Sequence, residues 1–145
     1  MKIWINKNDN EEPEGSYENA YIFSLKREEY STIYTNISDT WLRLGSMSIS
    51  PIYEDLFVIA ISIFAIDKRV PRRLFTDCWT REINVSIPVI ELEKWDSVKE
   101  LWNKTMNFLT GDVWNINFRK SELSFSQRAR QSRSKIDISK CDVVS

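Results

Sequence analysis

The chain has 145 residues, enough for one domain with a buried core and a short extension. Its 20 basic and 21 acidic residues give a formal net charge of -1, so overall charge indicates no attraction to nucleic acid or to a membrane surface. The chain has no histidine, which excludes Ser–His and Cys–His nucleophile pairs and removes the commonest general base. Cys78 and Cys141 are too few for a metal site and are expected to be reduced, as in a cytoplasmic protein.

The first third of the chain predicts short strands separated by polar turns. Residues 8–16 are acidic and carry no apolar residue to anchor them, which is typical of a loop. Runs of alternating apolar residues predict strands at 2–6, 21–25, 33–35 and 41–44.

A central helix follows. Ser50 and Pro51 have the residue types preferred at a helix start, and Glu54 and Asp55 suit the positive end of the helix dipole. From residue 56 to residue 66 a single serine interrupts the apolar run. This run is about half of the roughly 20 residues that cross a bilayer, so it predicts a core helix with no face left for water. A proline five residues later ends the helix.

The second half of the chain predicts a strand, a helix and another strand. Residues 81–90 alternate strictly, and Pro88 favours an edge strand or a strand end. Asp96 is predicted to cap a helix that ends before Gly111, and residues 113–119 alternate again, with Trp114, Ile116 and Phe118 inward. The apolar stripe of this helix is expected to face a sheet; its members are Trp95, Val98, Leu101, Trp102, Thr105, Phe108 and Leu109.

These elements predict an α+β fold: an antiparallel or mixed sheet with two main helices packed on it in two layers, over residues 1–120. Residues 121–140 are rich in Ser and Arg, which is typical of a linker. Apolar residues return at 141–145, as if a further strand began there.

Basic residues cluster where the central helix ends. Lys68 and its neighbours offer three readings: they complement the helix dipole in solvent, contact a protein or domain, or bind nucleic acid. Asp77 is expected to pair with Arg72 or Arg81 and hold the loop, whereas Trp79 and Trp114 fit either a core or an interface. The candidate interaction residues, named here the docking corner, are Arg69, Arg72, Arg73, Asp77, Trp79, Arg81 and Trp114. No catalytic residue and no metal ligand is predicted, because Glu91, Glu93 and Asp96 suit helix capping.

Several segments resemble one protein group. They are D-L-F-V-I-A-I-S-I-F-A-I-D-K-R-V-P-R-R, W-T-R-E-I-N-V-S-I-P-V and F-L-T-G-D-V-W. They are similar to the N-terminal region of 7-cyano-7-deazaguanine synthase-like (queuosine-pathway-like) PP-loop ATP pyrophosphatases, chiefly those of bacterial anti-phage defence loci such as Qat-type systems. The resemblance covers roughly residues 55–145, and its matching positions are Asp67, Arg69, Pro71, Arg72, Trp79, Arg81, Pro88, Thr110, Gly111, Asp112 and Trp114.

The resemblance implies an accessory domain that precedes a PP-loop domain, with K-C-D-V-V-S as the first strand of the latter. The S-G-G-x-D-S loop that binds ATP and the cysteines that bind zinc belong to that later domain, so ATP and zinc are implied only there. The expected function is a non-catalytic interaction domain in the cytoplasm, whose partners are a PP-loop catalytic domain, in cis or in trans, and other defence proteins, with no membrane. The alternatives are a small nucleic-acid-binding module that uses the basic corner and linker arginines, and a self-associating domain that pairs through Val143 and Val144.

Overall fold

The computed structural model describes residues 1–7, 11–25, 33, 35, 50–121 and 125. Within them lie the strands β1 (Lys2–Asn6), β2 (Tyr21–Ser24), β3 (Glu82–Val89) and β4 (Val113–Lys120). The α-helices are α1 (Pro51–Arg69), α2 (Leu92–Ser97) and α3 (Lys99–Thr110), and short 3-10 turns lie at Gly15–Tyr17 and Arg72–Leu74. The predictions for 33–35, 41–44, 121–140 and 141–145 fall almost wholly outside the described residues and stay predictions.

The four strands form one sheet in the order β2-β1-β3-β4, and every pair is parallel. The prediction of an antiparallel or mixed sheet with two main helices is therefore wrong: the described sheet is wholly parallel, and three α-helices accompany it. The error came from the strict alternation at 81–90, which is typical of antiparallel sheets with one wet face. The strands of this parallel sheet show the same alternation of apolar and polar residues, because the face of the sheet opposite the core is polar.

The apolar face of the sheet forms the core with α1 and α2. Trp114 and Ile116 point into it as predicted, and Phe118 packs against it. The core residues with no exposed surface are Ile3, Ile5, Val58, Ile59, Ile66, Ile83, Val85, Ile87, Val89 and Ile116. Alternation along each strand places the polar residues on the other side of the sheet.

On the polar face, Arg119 reaches across the sheet. Its guanidinium lies 3.6 Å from the centre of the Trp4 ring and donates a 2.9 Å hydrogen bond to the carbonyl of Ser86. It also forms a 2.5 Å ion pair with Glu11. Burial lowers the pKa of Arg119, and the Glu11 charge opposes that shift. One side chain of β4 thus fastens the segment after β1 to the sheet.

Pro88 lies in a central strand, so the edge-strand alternative is wrong and the strand-end alternative is confirmed. β3 pairs with β1 only from Asn84 to Ser86, and Pro88 comes after that pairing stops. The missing N–H of proline therefore removes no bond to β1, while β3 stays paired with β4 as far as Val89.

Helix α1 begins and ends as predicted but is not surrounded by protein. Pro51 stands in the first turn, and the helix ends at Arg69 just before Val70 and Pro71. Its inner side is buried, and Ser62 lies there with its hydroxyl donating to the carbonyl of Val58 at 2.6 Å. The prediction that no face is left for water is wrong, because an outward apolar stripe stays exposed.

The second predicted helix is two helices. The chain bends at Val98, so Asp96 lies inside α2 rather than at a helix start, whereas Gly111 does end α3 with a φ of 70°. The predicted apolar stripe faces the core only in part: Trp95 is buried and Val98 and Trp102 pack against the core, whereas Leu101, Phe108 and Leu109 are exposed.

Helix α3 contacts the sheet through amide side chains. The Asn107 side-chain oxygen accepts from the Trp114 N–H at 2.7 Å, and that of Asn103 accepts from the Ile116 N–H at 2.8 Å. Four residues of helix rise about 6 Å and two residues of strand about 6.6 Å, so the two spacings match. The helix thereby covers the outer edge of β4, one way in which proteins block edge-to-edge pairing.

Replacing both Asn103 and Asn107 with alanine is expected to lower the free energy of unfolding by about 2–4 kcal/mol, because two strand N–H groups lose their acceptors. Urea unfolding measures the loss, and sizing at rising concentration should reveal new self-association through the β4 edge. Lys104→Ala on the exposed side of α3 is the matched control and should change little. A double variant as stable and monomeric as the control would contradict this role.

Candidate functional site: the docking corner and the carboxyl edge

The docking corner lies at the amino edge of the sheet, where α1 ends and where β3 and β4 begin. Its centre is a buried ion pair between Arg81 and Asp112, each 2 % exposed. The Arg81 guanidinium donates to one Asp112 oxygen from Nε at 2.9 Å and from Nη2 at 2.5 Å. The backbone N–H of Arg81 donates to the other oxygen at 3.0 Å.

Arg81 also holds the end of α1. Its Nη1 donates to the carbonyls of Val70 and Asp67 at 3.0 and 3.2 Å, and its Nη2 donates to the Asp67 carboxylate at 2.7 Å. These carbonyls belong to the helix C-terminus, where unpaired acceptors and the negative end of the dipole attract a cation. Arg81 is therefore a structural link between helix and sheet.

Arg72 extends the network into the loop that follows α1. It donates to Asp112 at 2.6 and 3.2 Å, to the Thr110 carbonyl at 3.2 Å and to the Trp79 carbonyl. The side chain of Asp112 thus accepts from two arginines. The prediction that Asp77 pairs with Arg72 or Arg81 is wrong: Asp112 takes that role.

The network sets the ionisation of its members. Burial opposes the charge of Asp112, but hydrogen bonds from Arg81 and the charges of Arg81 and Arg72 outweigh it and lower the pKa of Asp112 below 3.8. Burial likewise opposes the charge of Arg81, whereas its bonds to Asp112 and Asp67 raise the pKa of Arg81 above its ordinary value. Asp112 and Arg81 are thus both charged at neutral pH.

The loop between α1 and β3 is fixed at both ends and in its turn. Asp77 accepts from the backbone N–H groups of Trp79 and Thr80 at 3.0 and 2.9 Å, and these bonds lower the pKa of Asp77. Cys78 adopts a φ of 54°, the left-handed conformation that such a turn requires. The loop presents Trp79 with 76 % of its surface exposed.

A groove of about 910 Å³ runs beside this loop. It is lined by Met1, Tyr21, Leu74, Phe75, Asp77 and Glu82, so apolar and acidic groups share it.

The structure brings only part of the predicted corner to the surface. Arg69, Arg73, Asp77 and Trp79 are exposed, whereas Arg81 is buried. Trp114 is also buried, with its indole N–H donating to the Thr110 hydroxyl at 2.9 Å, so the core reading holds for it. The sequence reading missed Asp112 as a partner; the signal was its position directly after the helix-ending Gly111.

Most residues that carry the family resemblance meet in this network. They are Asp67, Arg72, Trp79, Arg81, Thr110, Asp112 and Trp114. These residues fix one corner of the fold through their contacts.

The opposite, carboxyl edge is the usual ligand position in open parallel sheets. In the strand order 2-1-3-4, β2 is added on one side of β1 and β3 on the other, and open parallel sheets bind ligands beside such a change of side. Here Asp55 occupies the backbone donors: it accepts from the N–H groups of Ile90 and Glu91 at 2.7 and 2.8 Å and from the Trp95 indole at 3.0 Å. Two backbone N–H groups of the turn after β3 are thus taken by an internal carboxylate.

Beside Asp55, a buried ion pair fills the end of β1. Lys7 lies 2.7 Å from the Glu54 carboxylate, and both side chains are 1 % exposed. Glu54 also accepts from the backbone N–H of Phe125 at 2.9 Å, and Lys7 lies 5.0 Å from the centre of that ring. Glu54 and Asp55 therefore join α1 to neighbouring segments, a role beyond the dipole complement predicted for them.

Within the described ranges, no three acidic or cysteine side chains converge in a way that would hold a metal ion. In the same part of the chain, no helix is long and apolar enough to cross a membrane. Comparison of the chain with protein-family models, with curated proteins and with solved structures finds no significant match.

Proposed function

We propose that this chain is a non-catalytic interaction domain, and that the loop carrying Trp79 is its docking surface. The observation that carries the proposal is a tryptophan 76 % exposed on a loop held by Arg72 and Asp112. Tryptophan is enriched among the residues that dominate binding energy at protein interfaces.

The clamped loop favours binding, because its conformational entropy is already lost when the chain folds and is not lost again when a partner binds. Fixing the backbone of one residue costs about 1–2 kcal/mol of free energy. In a loop that became ordered only on binding, this cost would weaken the affinity for the partner. Arg72 and the Asp77 turn hold the backbone around Trp79 before any partner arrives.

The resemblance supplies the biological context of the proposal. The partner would be the PP-loop catalytic domain of a 7-cyano-7-deazaguanine synthase-like enzyme of bacterial anti-phage defence, in the same chain or a separate one, in the cytoplasm. That domain would hold ATP and zinc, and this chain would contribute no catalytic residue. The internal carboxylate at the carboxyl edge is consistent with this proposal, because it occupies two backbone donors of the turn after β3.

Trp79→Ser is expected to weaken binding to such a catalytic domain at least about tenfold, as measured by titration calorimetry with the full chain. The matched control is Phe108→Ser, which removes an even more exposed aromatic side chain from α3. The control should bind as the wild type does.

Three results would contradict the proposal. One is the absence of a complex with the wild-type chain, and another is an affinity unchanged by Trp79→Ser. The third is pyrophosphate release from ATP by the chain alone. RNA binding that weakens steeply with salt would instead favour the nucleic-acid alternative, through the exposed Lys68, Arg69 and Arg73.

A further inference from the structure

The polar face of the sheet carries a largely buried arginine. Arg119 lies on β4 with 17 % of its side chain exposed, and its guanidinium lies 3.6 Å from the centre of the Trp4 ring on β1. Its Nη1 donates to the carbonyl and hydroxyl of Ser86 at 2.9 and 3.2 Å, and its Nη2 donates to the Ile5 carbonyl. These acceptors belong to β1 and β3, so the sheet itself holds the guanidinium in one orientation.

The negative charge beside this guanidinium comes from outside the sheet. The Glu11 carboxylate forms a 2.5 Å ion pair with Arg119, and it belongs to residues 11–17, named here the cover segment. At the other end of the cover segment, the hydroxyl of Tyr17 accepts from the side-chain amide of Asn117 at 3.1 Å. The residues between these two ends are exposed or half-buried. The cover segment therefore lies over the polar face without adding a residue to the core.

The arginine needs an anion beside it. Burial lowers the pKa of Arg119, and the carboxylates of Glu11 and Glu14 oppose that shift. Both carboxylates belong to the cover segment, so moving this segment away would leave a largely buried cation without its counter-charge. Because an unpaired buried charge is costly, an anion from solution would then be attracted to the place that Glu11 left.

A second donor at this place has no acceptor. Trp4 is 4 % exposed, and in the part of the chain that the structure describes nothing accepts a hydrogen bond from its indole N–H. Buried donors without an acceptor are rare in proteins and call for an explanation. The Glu11 carboxylate bonds to Arg119 and leaves this indole unpaired. A phosphate group has more acceptor oxygens than a carboxylate, enough for the guanidinium and the indole together.

We propose that Arg119 and Trp4 form a binding site for a phosphate group, and that Glu11 occupies this site as an internal carboxylate until such a ligand replaces it. A guanidinium suits phosphate because its N–H groups fit the phosphate oxygens and its charge is permanent. Lys99 adds a positive charge to the same face, where its ammonium donates to Asn117 at 3.2 Å. The inference goes beyond the proposed function, since it concerns another face of the sheet and needs no partner domain.

Titration calorimetry of the full chain with inorganic phosphate tests the site, and phenyl phosphate tests an ester of the same group. The wild type should bind weakly, because Glu11 belongs to the same chain and competes at a high effective concentration. Glu11→Gln removes this charge at nearly constant size and should tighten phosphate binding at least about tenfold. Glu12→Gln, which changes an exposed carboxylate of the cover segment, is the matched control and should bind as the wild type does.

Variants of the two donors show whether the ligand contacts them. In the Glu11→Gln chain, Trp4→Phe keeps an aromatic ring beside Arg119 but removes the indole N–H, so it should weaken phosphate binding at least about fivefold. Arg119→Lys in the same chain should weaken it at least about tenfold. Circular dichroism checks that each variant is folded. Trp79→Ser should leave phosphate binding unchanged, so failure of this inference is distinguishable from failure of the proposed function.

Three results would overturn the proposal. One is the absence of saturable phosphate binding by Glu11→Gln at millimolar concentrations. Another is phosphate binding that Trp4→Phe leaves unchanged, because the unpaired indole would then have no part in it. The third is acetate binding to Glu11→Gln as tightly as phosphate, which would assign the site to carboxylates. A difference between phenyl phosphate and inorganic phosphate would support the site and show whether it takes the ester or the free ion.

Discussion

Replacing Asp112 with asparagine is expected to lower the free energy of unfolding by about 3–5 kcal/mol, because it leaves Arg81 buried without its counter-charge. The amide keeps the size of the side chain but cannot neutralise the guanidinium, and its N–H₂ faces donors where an oxygen now accepts. Arg72 loses its carboxylate partner as well. Urea unfolding at neutral pH measures the change.

Two variants control this result. Asp77→Asn alters an exposed carboxylate on the neighbouring loop and should cost far less. Removing both buried charges together, with Arg81→Met and Asp112→Leu, should recover part of the stability, because the largest cost is that of one charge left alone. An Asp112→Asn variant within about 1 kcal/mol of the wild type would contradict the role given to this pair.

The same carboxylate gives the fold a defined pH dependence. Since its pKa in the folded state lies below its ordinary value of 3.8, its stabilisation is fully present above that value. It is lost as the pH falls below 3.8 through the lower folded pKa. The unfolding free energy of the wild type should therefore fall more steeply than that of Asp112→Asn in acid, and equal slopes would contradict the shift.

Asp55→Ala is expected to cost about 3 kcal/mol or more, because three donors lose their acceptor at once. The N–H groups of Ile90 and Glu91 and the indole of Trp95 all point at this carboxylate. The loss should also loosen the turn that joins β3 to α2, where these groups lie. Chemical unfolding measures the first effect, and hydrogen exchange at residues 90 and 91 measures the second.

Glu93→Ala is the matched control, since Glu93 is an exposed acid in the first turn of α2. It should change the unfolding free energy by no more than about 0.5 kcal/mol. If Asp55→Ala behaved like this control, the carboxylate would not be the link between α1 and the β3–α2 turn.

Periodicity predicted the local elements well because it reports which side of a segment is buried. It placed β1, β3 and β4 and the faces of Ile83 and Val85, and the proline and glycine signals placed the ends of α1 and α3. Strand direction was beyond it, since a parallel strand with one polar face alternates as an antiparallel strand does. Because Ser86 and Arg119 make one face of this sheet polar, its strands have the alternating pattern that is typical of an antiparallel sheet.

The candidate site was harder to predict because its residues pair over long sequence distances. Asp112 and Arg72 lie 40 residues apart, and charge clustering alone favoured the nearer Asp77. The contact of Asn103 and Asn107 with β4 was likewise not predicted. An amphipathic pattern assigns the apolar side of a helix to the sheet, and these two residues are polar. Here much of that side stays exposed, at Leu101, Phe108 and Leu109.

The most direct test of the docking surface is hydrogen exchange on the complex with a 7-cyano-7-deazaguanine synthase-like catalytic domain. Amides of residues 72–80, around Trp79, should exchange more slowly in the complex than in the free chain, whereas those at the carboxyl edge around Ile90 should not change. Protection confined to the carboxyl edge, with none at residues 72–80, would contradict the account.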